Sequence, residues 1–396
     1  MFVSESMYEL GSKRSAIREL FEYGKKRAAI VGAENVYDFS LGNPTVPAPD
    51  CVNETIRELT QSLDSISLHG YTSAQGDLET RQAIADYLNN TYETNFKADN
   101  LYMTMGAAAS LSIAFKALTS SSDDEIIAIA PFFPEYRVFV TAAGAKFNVV
   151  APDTKNFQIN FDEFEKLVNK NTKAVIINSP NNPSGAVYSE QTIKKLADFL
   201  SKKSEEYGTH IFIITDEPYR EIVYDGVEVP YVTKYYNDTI VCYSYSKSLS
   251  LPGERIGYLV IPSEASDSED LISAASVATR ILGFVNAPTL QQKVVKACLN
   301  AKTDISYYDR NREALYNGLK ELGFECVRPE GAFYLFVKSP VEDEKAFCAA
   351  AKKYNILIVP GSSFGCPGYV RIAYCVAYET IVNSLPKFKE LAGEYK

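Results

Sequence analysis

Two apolar runs in this chain each end in residues that can do chemistry. Ile211-Phe212-Ile213-Ile214-Thr215 leads into Asp216-Glu217-Pro218-Tyr219, and residues 239–243 lead into Ser244-Tyr245-Ser246-Lys247. As neighbouring strands of an open parallel sheet, they would bring a carboxylate, a phenol, hydroxyls and an amine to the carboxyl edge, where such sheets bind ligands. Each residue also has a plainer reading. Asp216 after a strand serves equally as a turn or helix-capping residue, and Lys247 as a solvated surface amine. The surroundings of Lys247 weigh against solvation, because Ser246, Ser248, Leu249, Leu251, Pro252 and Gly253 make a segment too small and apolar for a polar face. Burial lowers an amine's pKa and frees its lone pair, and only the neutral amine attacks a carbonyl to form a Schiff base.

The elements that would position these residues follow from periodicity. Apolar runs at 125–130, 146–150, 174–178, 211–215, 239–243 and 256–261 alternate with helical segments. That pattern, spanning about 75 to 285, predicts an α/β domain with a mostly parallel central sheet flanked by helices. Between two of the runs, Ser189 caps a helix with Ile193, Leu196, Ala197 and Leu200 on one face, ending near Gly208, which makes a crossover unit. Beyond residue 286, helical stretches over 290–322 precede strand-like 332–337, a helix over 344–354, and strand-like 356–360 and 369–374, a smaller α+β lobe. An amphipathic helix is expected over 15–31 and a short strand over 35–41. Gly42-Asn43-Pro44, with Pro47 and Pro49 behind it, must be irregular backbone at a lobe junction. The expected division is an N-terminal segment, 1–48, joining the small domain, a large ligand-binding domain over 49–285, and a small C-terminal domain over 286–396.

Composition narrows the chemistry. A chain of 396 residues is too long for one ordinary core. Its formal charge of -10 discourages nonspecific binding to nucleic acid or anionic membrane, which leaves small molecules as partners. The first residues carry no signal-peptide pattern and no stretch is apolar enough to span a bilayer, so a cytoplasmic location is expected. The 7 cysteines include no CxxC pair and read as free thiols. Only His69 and His210 are present, far apart, so no metal site and no histidine-centred triad is expected.

An aspartate paired with a pyridinium nitrogen keeps that ring protonated, so electrons left at Cα on proton removal can drain into it; Asp216 is the candidate. The chain resembles class I and II aminotransferases of the fold-type I pyridoxal-phosphate superfamily over nearly its full length. The motifs agree in order: Gly42-Asn43-Pro44; Tyr71 with Gly76; Thr104-Met105-Gly106; Pro131 to Pro134; the run 178–185, NSPNNPSG; Asp216 to Tyr219 with Tyr224-Asp225-Gly226; Ser244 to Lys247 with Pro252, Gly253, Arg255 and Gly257; and Arg371-Ile372-Ala373. The resemblance implies a PLP-transferase fold whose cofactor, pyridoxal 5'-phosphate, is held by Lys247 as a Schiff base. Asp216 would pair with the pyridinium, Asn182 and Tyr219 would bond the ring's phenolic oxygen, and Phe133 would stack on the ring. The phosphate would lie on Gly106, Ala107 and Ala108 at a helix start, with Ser244, Ser246 and Arg255 completing the site. Arg371 looks like the fork for the substrate's α-carboxylate, with Gly42 and Asn182 beside it. Tyr71 resembles the residue that reaches a neighbour's phosphate, which implies a homodimer with composite sites.

The sequence departs from the family in lacking tryptophan, so Phe133 stands where the aspartate-type subgroup stacks an indole, and Ala107 and Ala108 supply no side-chain contact to a phosphate. Arg280 falls near the place of the arginine that reads a second carboxylate, without matching it securely. The expected activity is transfer of an amino group between an L-amino acid and a 2-oxo acid such as 2-oxoglutarate. A C–S β-lyase of the same superfamily would keep nearly every residue named. A non-enzymatic regulator is a third reading, disfavoured because the stretch before Gly42 fits one amphipathic helix and no winged-helix unit.

Overall fold

The computed structural model describes residues 2–12 and 16–395. Its centre is a seven-stranded sheet built from β2 (Leu101–Thr104), β3 (Glu125–Ile129), β4 (Lys146–Val150), β5 (Thr172–Asn178), β6 (Phe212–Asp216), β7 (Thr239–Ser244) and β8 (Gly257–Val260), in the order β2-β8-β7-β6-β5-β3-β4. Strands β3 to β7 pair in parallel, while β8 runs antiparallel to both β7 and β2. The inner strands β3, β5 and β6 carry buried apolar runs, as expected where helices cover both faces of a sheet. On one face the helices Ala107–Leu118 and Ser268–Ile281 bury Leu111, Phe115 and Ala275 with Ile126, Ile214 and Ile240. On the other, Ile193, Leu196 and Leu200 of the helix Glu190–Tyr207 pack on Ile127, Val175 and Ile213. Ser189 caps that helix through the Thr192 N–H, and Gly208 ends it in the left-handed region, as the sequence pattern predicts.

A second core gathers round a three-stranded antiparallel sheet of β9 (Tyr334–Lys338), β11 (Val359–Pro360) and β12 (Tyr369–Ala373), in the order β11-β12-β9. The short strand β1 (Tyr37–Asp38) pairs in parallel with β10 (Ile356–Leu357), and Phe39 is buried in this same core. The N-terminal helix Ala16–Val31 leans on it through Leu20, which packs with Phe336, Leu357 and Val359. Ser15, the expected first residue of that helix, lies outside the described residues.

Several element expectations change. The strand β2 was unread, since its four residues are too short to show a period, and the antiparallel sense of β8 has no local signature. The expected run 356–360 is two strands in different sheets. The helical stretch 290–322 is two helices, Thr289–Ala297 and Ile305–Glu321, the second capped by Asp304 through the Ser306 N–H. Ala287, Val294 and Val295 pack with Ile84, Leu88 and Val260 on the large sheet, whereas Tyr308, Leu315 and Leu319 belong to the second core. The chain therefore crosses between cores in the connection 298–304. Among the described residues no helix is long and apolar enough to cross a membrane.

Candidate active site

Strands β6 and β7 are adjacent, with Asp216 opposite Cys242, so the residues that follow both strands emerge side by side at the sheet's carboxyl edge. A cavity of about 320 Å³ opens there, and Asp216, Tyr219, Ser244, Ser246 and Lys247 all line it. From the large core it also receives Ala107, Ala108, Phe133, Asn182 and Arg255; from the second core and the N-terminal segment come Arg371, Tyr334, Gly42 and Ile17.

Three of these groups have an open valence, Asp216 and Arg371 buried and Lys247 half-buried. The Lys247 ammonium touches only the Gly42 carbonyl at 2.6 Å and lies 5.3 Å from the centre of the Phe333 ring. Burial pushes its pKa down to about 8, aided by the positive charges of Arg255 and Arg371. Asp216 is 5% exposed; its Oδ2 accepts a 2.6 Å bond from the Tyr136 hydroxyl, and its Oδ1 has no partner. Burial pushes this carboxyl up to about 7, against the lowering effect of the Tyr136 bond. Arg371 is 2% exposed and donates to Asn182 Oδ1 at 3.0 Å and to the Ser40 carbonyl, while its Nε has no partner. Its guanidinium lies on the rings of Tyr334 (4.6 Å) and Phe364 (4.8 Å), and among the described residues no carboxylate forms an ion pair with it. A buried cation without a counterion is unfavourable unless a ligand supplies the anion.

At the other end of the cavity the helix Ala107–Leu118 begins at Gly106, whose φ of 83° suits glycine and where a Cβ would lie 2.7 Å from Arg255 Nη2. The helix's free N–H groups and positive dipole end form an anion site. Ser244 and Ser246 hydroxyls lie 2.7 Å apart, and Arg255 is 3.3 Å from Ser246 Oγ, anchored by the carbonyls of Pro252 (2.9 Å) and Met105 (3.3 Å). The Ser110 hydroxyl, on the same helix, bonds Thr104 and the Tyr258 carbonyl inside the core. The Tyr219 hydroxyl is 2.8 Å from that of Tyr334, and the Phe133 ring stands edge-on to Tyr136. A glycine is required at position 42, since any Cβ there would collide with the Tyr334 hydroxyl.

The donor set fits pyridoxal phosphate at each of its ends. An unpartnered carboxylate oxygen suits a protonated ring nitrogen, an amine whose pKa is lowered to about 8 suits an aldehyde, and a helix start with two hydroxyls and an arginine suits a phosphate. Tyr71 lies elsewhere, 90% exposed beside a surface hollow with Ile66 and Thr289, and Arg280 is exposed and outside the cavity. Sequence reasoning missed Tyr136, Tyr334 and Ile17. Tyr136 had one available signal, its position one turn after Phe133 at a helix start; Tyr334 and Ile17 are brought in only by the packing of the second core.

The family model described as Aminotransferase class I and II matches residues 34–384. An aspartate aminotransferase of Thermotoga maritima is 31% identical, with 92% of this chain and 94% of that relative covered. An aromatic-amino-acid aminotransferase of Thermococcus litoralis is 29% identical, with 96% of each covered. Among solved structures, an amino transferase from Eubacterium rectale superposes with a TM-score of 0.98 at 63% identity, with all of both chains covered. The Thermotoga maritima aspartate aminotransferase superposes at 0.86 and 30% identity, covering 99% of this chain and 100% of that one.

Proposed function

The chain belongs to the class I and II aminotransferase family and is a pyridoxal-phosphate-dependent transaminase; from that premise we propose how its own residues divide the work. When bound, the cofactor supplies an electron sink for the pair released as the amino acid's Cα–H bond breaks. Lys247 would hold it through its amine and, freed from that bond, would take up and return the proton released from the substrate's Cα. Asp216 keeps the ring nitrogen protonated, with Tyr136 holding the carboxylate in place. Asn182 and Tyr219 bond the ring's phenolic oxygen, and Phe133 orients the ring by stacking, an effect of about 0.5–1.5 kcal/mol. Gly106, Ala107 and Ala108 supply backbone N–H groups to the phosphate, with Ser244, Ser246 and Arg255 beside them.

Arg371 receives the α-carboxylate, with Asn182 steadying the guanidinium and Gly42 leaving room. The observation that carries this reading is the meeting of three open valences, on Lys247, Asp216 and Arg371, in one cleft. The lobes that close on it are the N-terminal segment to residue 48 with the C-terminal domain, and the large domain from 49. The packing of Thr289–Ala297 supports carrying the large domain past 285, into the connection 298–304.

The substrates are an L-amino acid and a 2-oxo acid, with 2-oxoglutarate the expected acceptor. The assembly is a homodimer in which Tyr71 reaches the neighbouring phosphate, a reading supported by the exposure of Ile66, Tyr71, Leu78 and Val285. Seven free thiols agree with a cytoplasmic location. Incubating the holoenzyme with a panel of L-amino acids and 2-oxoglutarate should yield glutamate; pyruvate from cystathionine with no glutamate from any donor would replace the transaminase by a C–S lyase. Sedimentation should give two chains per particle, and Tyr71→Phe should weaken cofactor retention, whereas a fully active monomer would contradict the composite site.

A further inference from the structure

A second chamber, of about 240 Å³, lies outside the active cleft, between the large sheet and the connection that crosses to the second core. Its floor is Glu221, Tyr243, Tyr245 and Tyr258, and Asn300 and Lys302 stand at its mouth. Tyr245 and Tyr258, 5% and 4% exposed, both line the chamber, and neither hydroxyl makes a hydrogen bond among the described residues. The Tyr243 hydroxyl donates to Glu221 Oε1 at 2.8 Å, and Glu221 Oε2 has no partner at all. Glu221 lines the chamber, and its Oε1, which accepts from Tyr243, keeps a second lone pair for another donor. The nearest internal cation, Arg220, is already committed to Glu217 and the carbonyls of Val229 and Pro230.

We propose that this chamber binds a small organic ammonium ion, with its N–H groups on the Glu221 carboxylate and the Tyr245 and Tyr258 oxygens and its alkyl groups against the tyrosine rings. The packed rings of Tyr243, Tyr245 and Tyr258 give the ion's alkyl groups an apolar wall, while the carboxyl and phenol oxygens supply the acceptors its N–H groups need. An anion would meet the carboxylate instead. A metal ion would lack ligands, because no cluster of three or more histidine, cysteine or carboxylate side chains that could hold one exists among the described residues. Burial pushes the Glu221 carboxyl up to about 7, against the lowering effects of the Tyr243 bond and the Arg220 charge. The proposal does not rest on the transaminase reading, since none of these residues lines the active cleft.

The test is a calorimetric titration of the holoenzyme with trimethylammonium chloride, which carries an N–H but cannot condense with an aldehyde. tert-Butanol serves as the uncharged isostere, and sodium chloride matches ionic strength. One saturable site per chain is expected for the ammonium and none for the alcohol. Glu221→Gln should weaken binding roughly tenfold or more, and Lys302→Ala should tighten it by removing a like charge at the mouth. If Glu221→Gln does not fold, Tyr258→Phe removes one acceptor without altering charge and should weaken binding a few-fold. Heat no different from the alcohol's, or binding undiminished in the folded variant, would overturn the proposal.

Discussion

Arg312 and Arg371 are both buried arginines lying on tyrosine rings, at 4.4 Å from Tyr224 and 4.6 Å from Tyr334. Arg312 is saturated: it pairs with Asp225 at 2.9 Å, Asp309 at 2.7 Å and Glu313 at 3.0 Å, and donates to the Pro329 carbonyl at 2.8 Å. Arg371 has a carbonyl, an amide oxygen and one nitrogen with nothing, and burial lowers its pKa. A cation that ties a loop to a helix brings its own anions, whereas one kept for a ligand is left short of them. The same contrast separates Asp225, held below the usual carboxylate range chiefly by its Arg312 bond, from Asp216, raised by burial with one oxygen idle.

If open valences mark the working site, the largest loss of activity should come from Lys247→Ala. Turnover is expected to fall by roughly 10²–10⁴-fold, the range for losing a positioned proton carrier, with an unchanged circular dichroism spectrum. Next, the two arginines should respond in opposite ways. Arg371→Gln should lower kcat/KM by about 2–5 kcal/mol in transition-state terms without lowering the melting temperature. Arg312→Gln should lower stability by about 2–3 kcal/mol and leave kcat/KM intact. Equal losses of stability in both would erase the distinction.

A smaller effect is expected at Asp216 in the cofactor-free protein. Its folded pKa, raised from 3.8 to about 7, means the folded state holds a proton the unfolded state has released between those values. Stability contributed by this group is therefore lost as pH rises through that window and is fully absent above about 7. Asp216→Asn should then be more stable than the parent apoprotein by about 1–3 kcal/mol near neutral pH and no different in acid, as read by urea denaturation at two pH values. Smallest, Tyr136→Phe removes one bond to Asp216 and should weaken cofactor retention by about 0.5–1.5 kcal/mol, measured by dialysis; an effect as large as that of Asp216→Asn on the holoenzyme would place the proton on the wrong group.

Asp216 and Lys247 were legible in the sequence because each follows a short, mostly apolar run, and a run of that kind marks both a buried strand and which end carries its loop. Arg371 was legible only through its motif, since a strand arginine alone is equally a surface residue. Tyr136 and Tyr334 were not legible: in a chain with 27 tyrosines, a phenol acquires a role only when another element brings it a partner. The same limit hid β2 and the sense of β8, which are set by pairing across the sheet and not by local pattern. It also hid the break inside residues 290–322, which keep one helical period through a connection that Asp304 restarts.

The identity of the amine in the cleft tests all of this most directly. Reducing the yellow holoenzyme with borohydride, digesting it and locating the added pyridoxyl mass should give a single modified peptide, the one containing Lys247, and no labelling in Lys247→Ala. A pyridoxyl group on any other lysine would mean that the open valences described here belong to no common ligand.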